Sequence, residues 1–482
     1  MQDNAPKHPV NRGSRFIKDF GIYALGNIGM KLITFMLVPL YTYFVDNPGD
    51  YGYFDMCLAA CFLLMPIMTL QMRDGSYRFL VNNKDEAYRK GLISFVYKAL
   101  LGNIMLEILI ATGMALFYPV RCLWYTVALL VTMSVFEVMI QMIRATNDNR
   151  AFVATTLTTS LITPILAVAF VVVMKMGIDG IFLSNILSKV FGLAVGEART
   201  GLFRKYLNLR YADGALGKEL LKFSLPMIPT AVCWWLIGSS NRFFIKEFIG
   251  LEANGLYAVA ARMTTMLHIL GTIFHQAWQE HAFKQYNSPD RDSYFSSIFN
   301  NFIFFYIISA IAFIFVVKLI FPWLIGPNYQ GAINFVYLLT VSTILAGMSS
   351  FFDIAYQCAK ETKRSMSAVF VNAVAVLALN FILIKPLGVN GVILSIIITY
   401  FFYFAYRYYD TRRYFTISVT PRIIVPIALL LACAMPFYWL GNVWLNIACA
   451  VVALAISVLS LPRQAKDFFS TMFLSKLHRK KK

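Results

Sequence analysis

The chain has 482 residues, of which 59% are hydrophobic, 16% aromatic and 14% charged, with a mean hydropathy of +0.64. Soluble domains carry about 25% charged residues, so an ordinary soluble enzyme is excluded, and so is a disordered chain. Seven scattered Cys do not make a disulfide scaffold, while a net charge of +19 suits either nucleic-acid binding or a membrane protein that keeps its charges outside its apolar segments.

A helix needs about 20 mainly apolar residues to cross a hydrocarbon core of about 30 Å. Fourteen such stretches follow one another: 19–44, 52–72, 91–117, 122–143, 151–174, 178–197, 222–241, 253–279, 297–320, 331–357, 366–384, 389–406, 423–440 and 443–461. The fold class is therefore an all-α integral membrane protein. The polar residues before the first stretch, with no small-residue cleavage site after a short apolar core, predict no cleaved signal peptide.

The loop charges orient the chain. With the N-terminus inside, the inner segments carry 33 Lys and Arg and the outer segments only Arg121, Lys175, Arg242, Lys246, Lys318 and Lys385. Basic residues in short loops stay on the cytoplasmic side, so both termini are expected there, in the inner membrane, with an even number of spans. The partition is 33 basic against 15 acidic residues inside, 6 against 5 outside and 4 against 4 within spans. The excess charge thus reports topology. The terminal run Lys476–Lys482 reads as an anchor to anionic membrane lipid, and no nucleic acid is required as a partner.

An internal repeat organises the spans. MGIDGIFLS (176–184) returns as LGVNGVILS (387–395), and the inner turn 144–150 returns as 358–364. Phe20 opens span one as Phe223 opens span seven, and Gly52-Tyr53 opens span two as Gly255-Leu256-Tyr257 opens span eight. These matches predict an N-lobe of spans 1–6 (1–216), a C-lobe of spans 7–12 (217–410), and spans 13–14 with a basic tail (411–482). Parallel repeats of this kind frame a central cavity that opens alternately to each side.

Ionisable groups inside hydrocarbon cost about 2.5–3.5 kcal/mol on insertion scales, so each needs a reason. Span eight places Arg262, Thr265, His268, Thr272, His275 and Gln279 at steps of three or four, which is one polar stripe along a helix. Arg262 suits an anionic group, because its planar fork grips phosphate oxygens and stays charged when desolvated. Lys31 and Lys189 are further basic candidates. Glu107, Glu137 and Asp353, with His268 and His275, are candidates for lining the cavity or coupling to an ion, and Asp55 lies near a span end. The four basic and four acidic residues within spans equally suit buried inter-helix pairs. Pro39, Pro66, Pro164, Pro226, Pro229, Pro426 and Pro436 interrupt spans and predict kinks.

No Walker A sequence, HExxH or CxxC occurs, and no long outer loop offers room for a glycosyl-transfer site. A transporter with no catalytic residues, metal or cofactor is expected, with coupling to a Na⁺ or H⁺ gradient left open.

The opening FGIYALGNIGMKLITFMLVPLYTYFV and the following DYGYFDMCLAACFLLMPIMTLQMRDGSYRFL resemble the first two spans of Wzx-type polysaccharide transporters, members of the multidrug/oligosaccharidyl-lipid/polysaccharide flippase superfamily. The matched features are Lys31 before Leu37-Val38-Pro39-Leu40, Gly52-Tyr53 opening span two, and Arg78-Phe79 after its inner end. NRFFIKEFIGLEANGLYAVAARM (241–263) is similar to the family's segment joining spans seven and eight, with Asn241 where Asp is frequent. The resemblance implies 14 spans, two six-helix lobes and a basic central cavity. It implies flipping of a polyprenyl-diphosphate-linked oligosaccharide for O-antigen, capsule or exopolysaccharide, with Arg262, Lys31, Arg78 and Lys189 as diphosphate contacts. A polysaccharide polymerase and glycosyltransferases are the implied partners. Two alternatives stand beside it: a cation-coupled multidrug exporter of the same superfamily, which an acidic cavity would favour, and a non-transporting membrane scaffold for glycan enzymes.

Overall fold

The structure, a computed structural model, describes residues 35–459 except 82, 84, 147, 440 and 441. Most of the first expected span, including Lys31, and the basic run at 476–482 lie outside the described residues.

Within them the chain is helical and runs back and forth across one thickness. It begins with α1 (Phe35–Phe44), α2 (Pro48–Met68) and α3 (Met72–Leu80). Then come α4 (Glu86–Phe117), α5 (Leu123–Ala145), α6 (Asn149–Ala167, passing into a π-helical turn at Val168–Val173) and α7 (Gly177–Thr200). The short α8 (Leu202–Tyr206) and α9 (Gly214–Ser224) lead to α10 (Ile228–Ser239), α11 (Asn241–Phe248) and the long α12 (Leu251–Gln285). The chain continues through α13 (Arg291–Leu324), α14 (Ile333–Phe351), α15 (Asp353–Cys358) and α16 (Thr362–Asp410), and closes with α17 (Ile424–Ala432), α18 (Ala434–Trp439) and α19 (Val443–Leu459).

Among the described residues, eleven helical stretches are long and apolar enough to cross a membrane. One of them, Lys363–Arg413, has 51 residues, about 77 Å if straight and more than twice a hydrocarbon core. It bends at Gly388 (φ 59, ψ −138), and its two halves line one groove, so it crosses twice. Phe35–Phe44 and Trp444–Leu459 are shorter apolar helices in the places of the first and last expected spans. The protein is thus an all-α, multi-pass membrane protein.

Two boundaries differ from the sequence expectation. Span two does not run to 72: α2 ends at Met68, where Leu70 (φ 47) and Gln71 (φ 51) adopt left-handed backbone, and α3 sets off separately. The left-handed pair turns the chain out of the helix, which runs unbroken past Pro66. Span seven does not run from 222 to 241 as one piece. Pro226 and Pro229 divide it into α9, a 3₁₀ turn at Leu225–Met227, and α10. The helical course then continues past Ser240 to Phe248, because no Gly or Pro stops it before Gly250.

The repeated glycines perform matching tasks. Gly177 and Gly388 both have positive φ (56 and 59) at the turn before the next helix. Three residues on, Gly180 and Gly391 lie where a Cβ would press on Phe170 and on the carbonyl of Leu383. Glycine fits the first position without steric cost, and at the second the contact is tight at Gly180 and closed to any side chain at Gly391.

At the end that the charge count assigns to the outside, the two sequence repeats meet directly. Gly52 of α2 and Gly255 of α12 lie backbone on backbone: a Cβ on Gly52 would press into the carbonyl of Leu251, and one on Gly255 into that of Pro48. Asn254 Nδ2 donates to the Gly52 carbonyl at 2.7 Å. A second seam joins the turn after α13 to the end of α1 and the turn that follows it. There Gly326 N donates to Thr42 Oγ1 (3.1 Å), Asn328 Nδ2 to the Asp46 carbonyl (2.7 Å) and Tyr329 OH to the Val45 carbonyl (2.9 Å). At the opposite end the main contacts between the repeats run through α9, which packs on α3 and α4.

The glycine seam yields a test. Gly255→Ala is expected to lower stability by about 1–3 kcal/mol through overpacking against backbone, read as a fall in the thermal unfolding midpoint in detergent. Gly102→Ala, where an added Cβ meets nothing within 4 Å, is expected to cause no loss.

Candidate functional site

Beneath that seam lies a cluster of charge. The N-cap Asn47, whose Oδ1 accepts from Gly49 N at 2.8 Å, and Pro48 at the first helical position start α2. Asp55 follows about 10 Å below, at a rise of about 1.5 Å per residue. It is 2% exposed, accepts a hydrogen bond from Nε of Arg242, and lies 3.6 Å from Nη2 of Arg262. Arg242 comes from the start of α11 and Arg262 from the third turn of α12, so one carboxylate of the first repeat holds two guanidiniums of the second. Arg242 also donates Nη1 to the Gly238 carbonyl (3.3 Å) and sits 5.8 Å from the Tyr257 ring centroid. Trp235 Nε1 bonds the Ala59 carbonyl at 2.7 Å and closes α10 onto α2 just below.

A cavity of about 140 Å³ opens at this cluster, lined by Asp55, Arg242, Arg262, Ser239 and Thr265, with apolar walls from Leu58, Ala59, Phe62 and Ala261. Two guanidiniums against one carboxylate leave a formal excess of one positive charge. In surroundings of low dielectric such an excess is costly unless an anion satisfies it. Arg262 remains one-third exposed, so part of its fork is free to meet a ligand.

From Arg262 the polar stripe continues along α12. Thr265 and His268 are exposed and Thr272, His275 and Gln279 partly so, while Met263, Leu267, Phe274, Ala277 and Trp278 of the same helix are buried. At the far end Gln279 Nε2 donates to Gln357 Oε1 at 2.6 Å. The stripe therefore lies on the accessible face of the helix, away from its packing face.

The other candidates fall elsewhere. Glu137 pairs with Arg73 of α3 at 3.5 Å. Asp353 accepts from Arg407, which is fully buried and stacked 4.0 Å from the Tyr403 ring centroid. Lys189 donates to the Asn185 carbonyl at 3.3 Å, one turn back on its own helix. Arg78 stacks 4.4 Å from the Phe223 ring centroid. The length of α2 separates it from Asp55, so Arg78 does not join Arg262. Both carboxylate oxygens of Glu107 are buried without a hydrogen-bond partner. Lys31 lies outside the described residues.

The sequence reading missed Arg242 and Asp55 as partners of Arg262, and it counted Arg242 and Arg407 with the loops. The structure corrects both counts. Arg242 lies in a helix that runs on to Phe248, and Arg407 is the most deeply buried cation among the described residues. The available signal for Arg242 was the lack of any Gly or Pro between Gly238 and Gly250.

The polysaccharide biosynthesis protein family matches residues 16–278, more than half of the chain, and the chain belongs to that family. Among solved structures, the chain is similar to the lipid II flippase MurJ in an inward closed conformation (TM-score 0.71, 14% identity, covering 95% of this chain and 99% of that one). It is also similar to a multidrug resistance MATE family transporter of the MOP superfamily. The inward-facing conformation gives a TM-score of 0.64 at 11% identity, covering 82% of this chain and 98% of that one. The outward-facing conformation gives 0.54 at 14% identity, covering 89% and 100%. At these identities the likeness is one of fold. Comparison with curated protein sequences returns no match.

The two ion pairs away from the cavity differ in burial, and so in weight. Asp353→Asn leaves the enclosed Arg407 without its counter-ion and is expected to cost about 3–5 kcal/mol. Glu137→Gln, in a pair about one-third exposed, is expected to cost less than about 1 kcal/mol. Denaturation of the purified variants in detergent measures both.

Proposed function

We propose that the protein is a flippase that carries a polyprenyl-diphosphate-linked oligosaccharide across the bacterial inner membrane for cell-surface polysaccharide synthesis. The observation that carries this reading is the Arg242–Arg262 pair, which lines a cavity between the two repeats directly beneath their closed outer seam. Paired guanidinium forks suit the oxygens of a diphosphate, and the stripe along α12 offers hydroxyl, imidazole and amide groups to the sugar beyond it. Membership of a polysaccharide biosynthesis family supports the glycan, and the lipid II flippase of the same fold supports the lipid.

In this reading spans 1–6 and 7–12 are the two lobes, with a boundary near 216 and spans 13–14 appended from 411. Alternating access follows from rocking of the lobes. The seam between α2 and α12 closes the outer side, and the substrate enters from the cytoplasm, where both termini lie. Glycosyltransferases would supply the lipid-linked glycan and a polymerase would take it up. The unpartnered carboxylate of Glu107 is our candidate for coupling to H⁺ or Na⁺, and it is the feature that favours the second reading, a cation-coupled multidrug exporter. Rescue of drug sensitivity in an exporter-deficient strain would decide for that second reading.

Arg262→Ala is expected to reduce surface polysaccharide roughly tenfold or more, as removal of a charge-assisted contact implies, while the protein stays in the membrane at normal level. Arg78→Ala is expected to leave export near normal. Immunoblots of membranes beside quantified surface glycan measure both, and undiminished export by Arg262→Ala overturns the assignment.

A further inference from the structure

The proposed anion site already contains an anion. Asp55 takes Nε of Arg242 and approaches Nη2 of Arg262, and at 2% exposure these two guanidiniums are its main charge partners. A ligand phosphate that grips the same two forks has to compete with this carboxylate. The groups also differ in where they are anchored: Asp55 belongs to α2, and both arginines belong to α11 and α12. The ion pair is therefore a tie between the repeats, placed about one to two helical turns below the glycine seam.

Resting on the anion-binding reading above, we propose that Asp55 is the resident counter-ion of the Arg242–Arg262 pair, and that the diphosphate of the substrate replaces it. No bond beyond hydrogen bonds is made or broken. The two guanidiniums exchange one carboxylate for phosphoryl oxygens, and Asp55 moves off with α2. Two consequences follow from charge. A singly charged group gains little over the carboxylate it displaces, whereas a diphosphate, with at least two negative charges, matches both guanidiniums, so the exchange selects for it. Displacement also removes the attraction that holds α2 against α11 and α12, so occupancy of the cavity loosens the outer seam from beneath. Arg242 thereby becomes a second anion-binding residue, and Asp55 a positioning residue that sets the threshold for release.

The test uses the purified full chain in lipid nanodiscs, with farnesyl diphosphate as the probe and inorganic pyrophosphate as its competitor. Asp55→Asn, which keeps the shape and removes the competing charge, is expected to bind farnesyl diphosphate about tenfold more tightly than the wild type. Asp55→Glu is expected to stay within about twofold of the wild type, since a carboxylate still competes. Equal or weaker binding by Asp55→Asn overturns the exchange. Pyrophosphate is expected to displace the probe, and binding that pyrophosphate leaves untouched overturns recognition through the phosphoryl groups. The underlying site reading fails separately, if Arg262→Ala and Arg242→Ala bind the probe as well as the wild type does.

A further measurement needs no change at Asp55. Gly49→Cys with Glu252→Cys spans α2 and α12 at the seam, where a Cβ on Gly49 lies 3.6 Å from Glu252 Cγ. Farnesyl diphosphate is expected to slow disulfide formation in this pair severalfold. Crosslinking at an unchanged rate overturns the loosening of the seam.

Discussion

The approach of α2 to α12 through Gly52 and Gly255 is the constraint on which the site depends. Two helices that carry side chains at their crossing stay 8–10 Å apart, and glycine at the crossing allows a closer fit. Here each glycine faces the backbone of the other helix, so the helices diverge from a fixed point near their N-terminal ends. Asp55 lies one turn inward of Gly52 and Arg262 two turns inward of Gly255. At that depth the gap is wide enough for charged side chains and a small cavity, and still narrow enough for one carboxylate to serve both arginines.

The charges within the bundle serve two different ends. Asp353 with Arg407 satisfies a cation shut between α14, α15 and α16 inside a single repeat, against Tyr403 and the Ser349 carbonyl. Such a pair holds a packed unit together. Asp55 with Arg242 and Arg262 crosses between repeats, has more positive than negative charge and borders open space. The distinction comes from placement, since the residue types are alike.

The spans and the repeat were legible in the sequence because both rest on local signals. Long apolar runs give spans, and glycines at Gly177 and Gly388 recur where the backbone turns left-handed. Arg262 was legible because it begins a stripe at helical spacing. Asp55 and Arg242 were not, since they lie 187 residues apart and each sits near a helix end, where the sequence reads as the margin of a loop. Their meeting depends on the crossing of α2 with α12, which is a tertiary fact. The fate of Arg78 is similar: Phe223, the residue that captures it, comes from the segment joining the repeats.

The stripe on α12 has a geometric consequence of its own. Arg262 and Gln279 are 17 residues apart on an unbroken helix, about 25 Å at helical rise, which is close to the thickness of a hydrocarbon core. Along that length no interval between polar side chains exceeds four residues, about one turn. A hydrated headgroup travelling beside this helix meets a fresh hydrogen-bonding group roughly every 6 Å, before it has left the last. For the glycan substrate proposed above, the penalty of crossing oil would be divided into short steps, on a ladder whose rungs lie within the reach of a single hexose.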